Sequence, residues 1–175
     1  MINKKTVFQI VYAVALVGTV LSCIGILNEL LNIAQLYGLC IGGSVGYITK
    51  GDYFVPFAFY LAAFVISAFA TSLLVLRTCG MIKRSKKNVS VLVLASCAVL
   101  IALSVVFIFV IREEEIFYVH GNLKYFNYMH YYAFRTVVMS FVANAGIVWV
   151  CDLADGKRKK AQESAAEIVT ENAAE

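Results

Sequence analysis

Arg135 is the sharpest chemical feature of this chain, because it is the only charged residue in the otherwise apolar stretch 131–151. It stands about one helical turn inside the end of that stretch. A guanidinium at membrane depth is costly unless it is paired or reaches the interface, so it marks either a structural contact or a site. Acids on the same expected side supply partners: Glu29 follows one apolar stretch, and Glu113, Glu114 and Glu115 follow another. The first expectation is an outer-face ion pair between Arg135 and one of these carboxylates, or snorkelling to the headgroups. A ligand or ion site is the alternative. Asn144, the other strongly polar group here, lies one turn beyond Ser140 on the same helical face. Amides at such positions hold helices together at about 1 kcal/mol or less, so Ser140 and Asn144 are expected to make a helix–helix contact.

Metal and redox chemistry need clusters that the sequence lacks. His120 and His130 are ten residues apart, and no Cys–His spacing accompanies them. Neither falls in an apolar stretch, where a haem would take its axial ligands from opposing helices. The five cysteines, Cys23, Cys40, Cys79, Cys97 and Cys151, contain no Cys-x-x-Cys pair and read as small membrane-compatible residues. A Cys23–Cys40 disulfide is open but not favoured. Paired acids, a His–acid set and a nucleophile with its base are all missing at membrane depth. The expectation is therefore no enzyme, no metal and no cofactor.

Recognition is the remaining chemistry. Between Phe117 and Phe134, eight of eighteen residues are Phe or Tyr. An aromatic belt at the water–lipid interface accounts for Tyr131, Tyr132 and Phe134, with Trp149 serving the other interface. Phe117, Tyr118, Tyr125, Phe126 and Tyr128 lie farther out and form a candidate partner surface, since rigid aromatic side chains make good anchors.

The elements that must position these groups are four uncharged runs: 7–27, 54–76, 89–111 and, apart from Arg135, 131–151. Each exceeds the roughly 20 residues that cross a hydrocarbon core as a helix. Backbone groups in lipid must be satisfied within the segment, so helices are predicted, and the apolar residues are continuous rather than alternating as in a barrel strand. Pro56 is expected in the first turn of the second helix, and Asn88 and Ser90 as caps of the third. Residues 28–36 keep helical spacing past the first run, glycines from Gly38 onward are expected to break it, and a short hairpin around Lys50–Asp52 is a weak further expectation. Small residues recur at helical spacing: Gly18, Ser22 and Gly25; Ala63, Ser67 and Thr71; Ala95, Ala98 and Ala102. Such rows let helix backbones approach closely.

Direction follows from the charges. Lys4, Lys5, Arg77, Lys83, Arg84, Lys86, Lys87, Lys157, Arg158, Lys159 and Lys160 fall on one side, against Lys50, Arg112 and Lys124 on the other. Lys and Arg are retained in the cytoplasm, which places both termini there. The formal net charge of +4 is thus an orientation signal rather than a nucleic-acid footprint. With 61% hydrophobic and only 15% charged residues, the composition excludes an ordinary soluble domain or a disordered chain.

The expected fold is all-α: a four-helix transmembrane bundle over residues 1–151, with a charged cytoplasmic tail at 152–175. The expected function is that of a small multi-pass cell-membrane protein, a non-catalytic accessory or regulatory subunit whose aromatic outer loop contacts a partner. The alternative is a small oligomeric transporter or channel. The partners implied are the bilayer and a membrane protein or a second copy, not nucleic acid.

Overall fold

In a computed structural model, each of the four apolar runs forms one α-helix. The structure describes residues 4–41, 50–81, 86–114 and 132–155, with side chains placed for 6–35, 54–81, 88–109 and 132–155. The helices are α1 (Lys4–Ile41), α2 (Lys50–Thr78) and α3 (Lys86–Glu114), followed by α4 (Tyr132–Asp155). All four contain a span long and apolar enough to cross a membrane. The shortest, Asn88–Phe109, has 22 residues, about 33 Å of helix against a hydrocarbon core of about 30 Å.

Several helix ends differ from the sequence expectation, always in the direction of more helix. α1 passes through Gly38 to Ile41, because a single glycine costs a helix only about 1 kcal/mol. One continuous α1 also puts Cys23 and Cys40 seventeen residues apart, about 25 Å along the axis, far beyond the reach of a disulfide. α2 begins at Lys50, which replaces the hairpin around Lys50–Asp52 and moves Pro56 from the first turn into the helix. Its missing N–H leaves the Asp52 carbonyl without its usual partner, a modest loss this close to a helix start. α3 begins at Lys86, so Asn88 lies within its first turn rather than capping it.

Paired contacts give the register. Tyr12 meets Thr78 and Cys23 meets Ser67, so α1 and α2 run antiparallel. Gly18 faces Asn144, Ser22 faces Ser140 and Gly25 faces Val137, which sets α4 antiparallel to α1. Tyr60 packs on Phe134 and Arg77 on Asp152, so α2 and α4 run in the same direction. α3 packs on α2 through Phe107 and Phe59, and on α4 through Phe107 and Phe134. Among the described residues α1 and α3 do not pack on each other. The bundle is therefore a rhomb, with α2 and α4 on its short diagonal. The N-terminal part of α1 and the C-terminal part of α4 share one end, here the terminal end; the opposite end is distal.

Toward mid-depth the packing departs from the habit of soluble helices. α1 turns Ala15, Thr19 and Cys23 inward while Val14, Val17, Leu21 and Ile24 face outward; α2 buries Ala63, Ser67 and Ala70 and exposes Leu61, Val65 and Phe69. Lipid tails solvate large apolar side chains as well as a protein core does, so helix association comes from close backbone approach. Small inward residues allow that approach. The row on α3 departs from the pattern: Ala95, Ala98 and Ala102 are exposed, because α3 buries Val89, Val93, Ser96, Leu100, Ser104 and Phe107 instead.

Candidate functional site

At mid-depth α1 meets α4 along a polar seam. Asn144 Nδ2 donates to the Ser140 carbonyl at 2.9 Å, and Ser22 Oγ donates to Ser140 Oγ at 3.3 Å. The carboxamide of Asn144 lies against bare backbone at Gly18: a Cβ there would stand 2.6 Å from Oδ1 and 2.7 Å from Cγ. Any larger residue at this position would have to displace the amide. On the other flank of α1, Ser67 Oγ donates to the Phe64 carbonyl at 3.0 Å and reaches Cys23 Sγ at 3.7 Å. Thr19, Ser96 and Ser104 donate to carbonyls four residues earlier. Thr71 Oγ1 is buried without a hydrogen-bond partner among the described residues. All of these groups are neutral, so the seam joins helices without presenting a charge.

Toward the distal end the interior is aromatic. Phe134 stands edge-on to Tyr60 at 4.9 Å between ring centroids and packs on Phe107 at 4.7 Å; Phe107 in turn meets Phe59 at 4.7 Å. Tyr60, Phe107 and Phe134 are fully buried. Edge-to-face pairs contribute about 0.5–1.5 kcal/mol beyond the area they bury. Phe134, which sequence alone assigns to the interfacial belt, instead belongs to this plug.

The terminal end is closed by charge. Arg77, in the last turn of α2, and Asp152, near the end of α4, form a two-pronged ion pair: Nη1 to Oδ2 and Nη2 to Oδ1, both at 2.5 Å. Their side chains are only 11% and 13% exposed. The planar guanidinium matches both carboxylate oxygens at once, which fixes orientation as well as proximity. Beside it, the hydroxyls of Tyr12 and Thr78 lie 3.1 Å apart. Sequence reading assigns Arg77 to the basic loop and Asp152 to the tail. The available signal was two opposite charges, each the first residue past an apolar run, with both runs finishing at the same end.

Arg135 is exposed and makes no ion pair with Glu29 or any other described side chain. It lies on the α3 side of α4, on one helical face with Val142, Gly146 and Trp149, seven, eleven and fourteen residues on. Those three residues, with Ala145, form one wall of an apolar groove of about 190 Å³; Val93, Leu94, Cys97, Ala98 and Ile101 of α3 form the other. A Cβ on Gly146 would meet nothing within 4 Å.

Of the remaining residues singled out by sequence, the side chains of Glu113, Glu114 and Glu115, and the aromatic set Phe117, Tyr118, Tyr125, Phe126 and Tyr128, lie outside the described residues, as do His120 and His130. Cys23, Cys97 and Cys151 are buried free thiols and Cys79 an exposed one. Among the described residues no group of three or more His, Cys, Asp or Glu side chains converges on one point. No protein-family model, curated protein or solved structure matches the chain.

Proposed function

We propose that the chain is a non-catalytic accessory or regulatory subunit of the cell membrane, with both termini in the cytoplasm and its aromatic outer loop in contact with a partner. The observation that carries this reading is the filled interior. Tyr60, Phe107, Phe134, Phe141, Ile26, Leu74 and Leu100 are all at most 2% exposed and occupy the bundle from end to end. A protein so filled works through its surface and loops, and the richest loop for recognition is the Phe/Tyr segment between α3 and α4. A cytoplasmic terminal end is supported by the eleven basic residues that accompany it.

Photoactivatable residues placed at Tyr118 and Tyr125 in native membranes test the function. The expected result is one stoichiometric cross-linked partner, lost when Phe126 and Tyr128 are both replaced by alanine. Cross-links only between copies, together with solute flux in proteoliposomes, would establish the transporter alternative instead. Orientation is tested at the exposed Cys79. A membrane-impermeant maleimide should label it only after permeabilisation, and labelling in intact cells would reverse the topology.

A further inference from the structure

The Asn144 amide is only partly used by the bundle. It stands at the middle of the span Tyr132–Asp155, and one of its N–H groups goes to the Ser140 carbonyl. Its Oδ1 accepts no hydrogen bond among the described residues. Nor is that oxygen enclosed, because Thr71 Oγ1 is the one buried side-chain oxygen or nitrogen left unpaired among them. The amide oxygen therefore reaches the outer surface of the bundle at mid-depth, where lipid tails have no proton to offer it. Its surroundings are exposed as well: Thr136, Ser140, Ala143 and Ile147. With Asn144 these sit at positions i, i+4, i+7, i+8 and i+11, a single stripe along α4.

We propose that this stripe of α4 docks a second copy of the chain, with the two Asn144 amides hydrogen-bonded to each other across a two-fold axis along the membrane normal. Copies inserted in one direction are related only by an axis of that orientation, so each residue meets its counterpart at its own depth. An amide both donates and accepts, which makes Asn144 complementary to itself: each N–H pairs with the other copy's Oδ1 in an isologous contact. A foreign helix would have to bring its own polar group to this depth, whereas a second copy necessarily carries one. Ser140 and Ala143 are small enough to let two α4 backbones approach, as polar contacts between membrane helices require. The contact uses mid-depth residues alone and none of the aromatic loop, so it stands apart from the partner-contact reading.

Energy transfer between donor- and acceptor-labelled copies in phosphatidylcholine vesicles tests the contact. The full chain is labelled at the exposed Cys79 with polar maleimide dyes and diluted with lipid. Wild-type transfer should follow a monomer–dimer curve. Asn144→Ala should move its midpoint to about tenfold more protein per lipid, the equivalent of about 1.4 kcal/mol. Ile147→Trp enlarges a side chain that is 43% exposed, so it should block docking while leaving the helical circular dichroism unchanged. That variant keeps the test decisive should Asn144→Ala disturb the α1–α4 seam. Val65→Trp, at a 58% exposed position of α2, should leave the curve where it is. Transfer no greater than random mixing in the wild type would overturn the proposal. So would a midpoint unmoved by Asn144→Ala, or a dimer that tolerates Ile147→Trp and is lost in Val65→Trp, which would place the contact on another face.

Discussion

Asp152→Ala is expected to lower the unfolding free energy by about 3 kcal/mol, the lower end of what breaking a buried ion pair costs. Two magnitudes compete here. An exposed ion pair contributes about 0–1 kcal/mol, whereas removing one member of a buried pair strands the other charge at about 3–5 kcal/mol. Side-chain exposures of 11% for Arg77 and 13% for Asp152 leave this pair half-buried, between the two classes and next to the bottom of the second. The lower end applies because Arg77, in the last turn of α2, recovers part of its solvation by snorkelling. The double variant Arg77→Met/Asp152→Leu leaves no stranded charge and should return most of the loss. Detergent-titration unfolding of the full chain, followed by circular dichroism, measures both. A loss under about 0.5 kcal/mol for Asp152→Ala would reduce the clamp to an ordinary surface pair.

Gly18→Leu is expected to cost about 3 kcal/mol and Gly18→Ala about 1 kcal/mol, by overpacking the α1–α4 seam, the smaller side chain costing less because the Asn144 amide it meets is the end of a side chain that can swing aside. Helix propensity pushes the other way: alanine gains about 1 kcal/mol over glycine in a helix interior. The sign of the alanine variant therefore decides whether close approach governs this position. The new Cβ would lie 2.6–2.9 Å from three atoms of the Asn144 side chain, which gives up its bond to the Ser140 carbonyl when it swings aside. Gly18→Ala/Asn144→Ala removes the obstacle and should recover most of the loss, a coupling that independent sites do not show. Gly25 supplies the contrast, since its Cβ would stand 3.5 Å from Val137 Cγ1, an ordinary contact. Strictly additive Gly18 and Asn144 effects would mean that the two do not meet.

These positions mark where the sequence was informative and where it fell short. Asn144 and, one turn away, Ser140 stand out as a pair, because an amide is rare inside an apolar helix. Their acceptance by Gly18 does not, since a glycine in an apolar run looks the same whether it faces lipid or a neighbour. Phe134 has the composition of a belt residue, and only its contacts with Tyr60 and Phe107 place it inside. Ala95, Ala98 and Ala102 share the spacing of a packing row yet face outward. In lipid both faces of a helix are apolar, so periodicity does not reveal which face is buried.

What the sequence determined by itself is four helices long and apolar enough to cross a membrane, because segregation of charge from runs of 20 or more apolar residues leaves few other structures in a bilayer. Arg135 was equally visible, because a charge in such a run has nowhere to hide. The tertiary structure decided the pairing. It joined Arg77 to Asp152 across 75 residues, set Gly18 against Asn144, closed the distal end with aromatic rings, and left Arg135 exposed on α4 instead of paired with Glu29. Each of these depends on helix rotation and register. Those are set by the summed fit of side chains across all the helix interfaces, and no single residue type announces them.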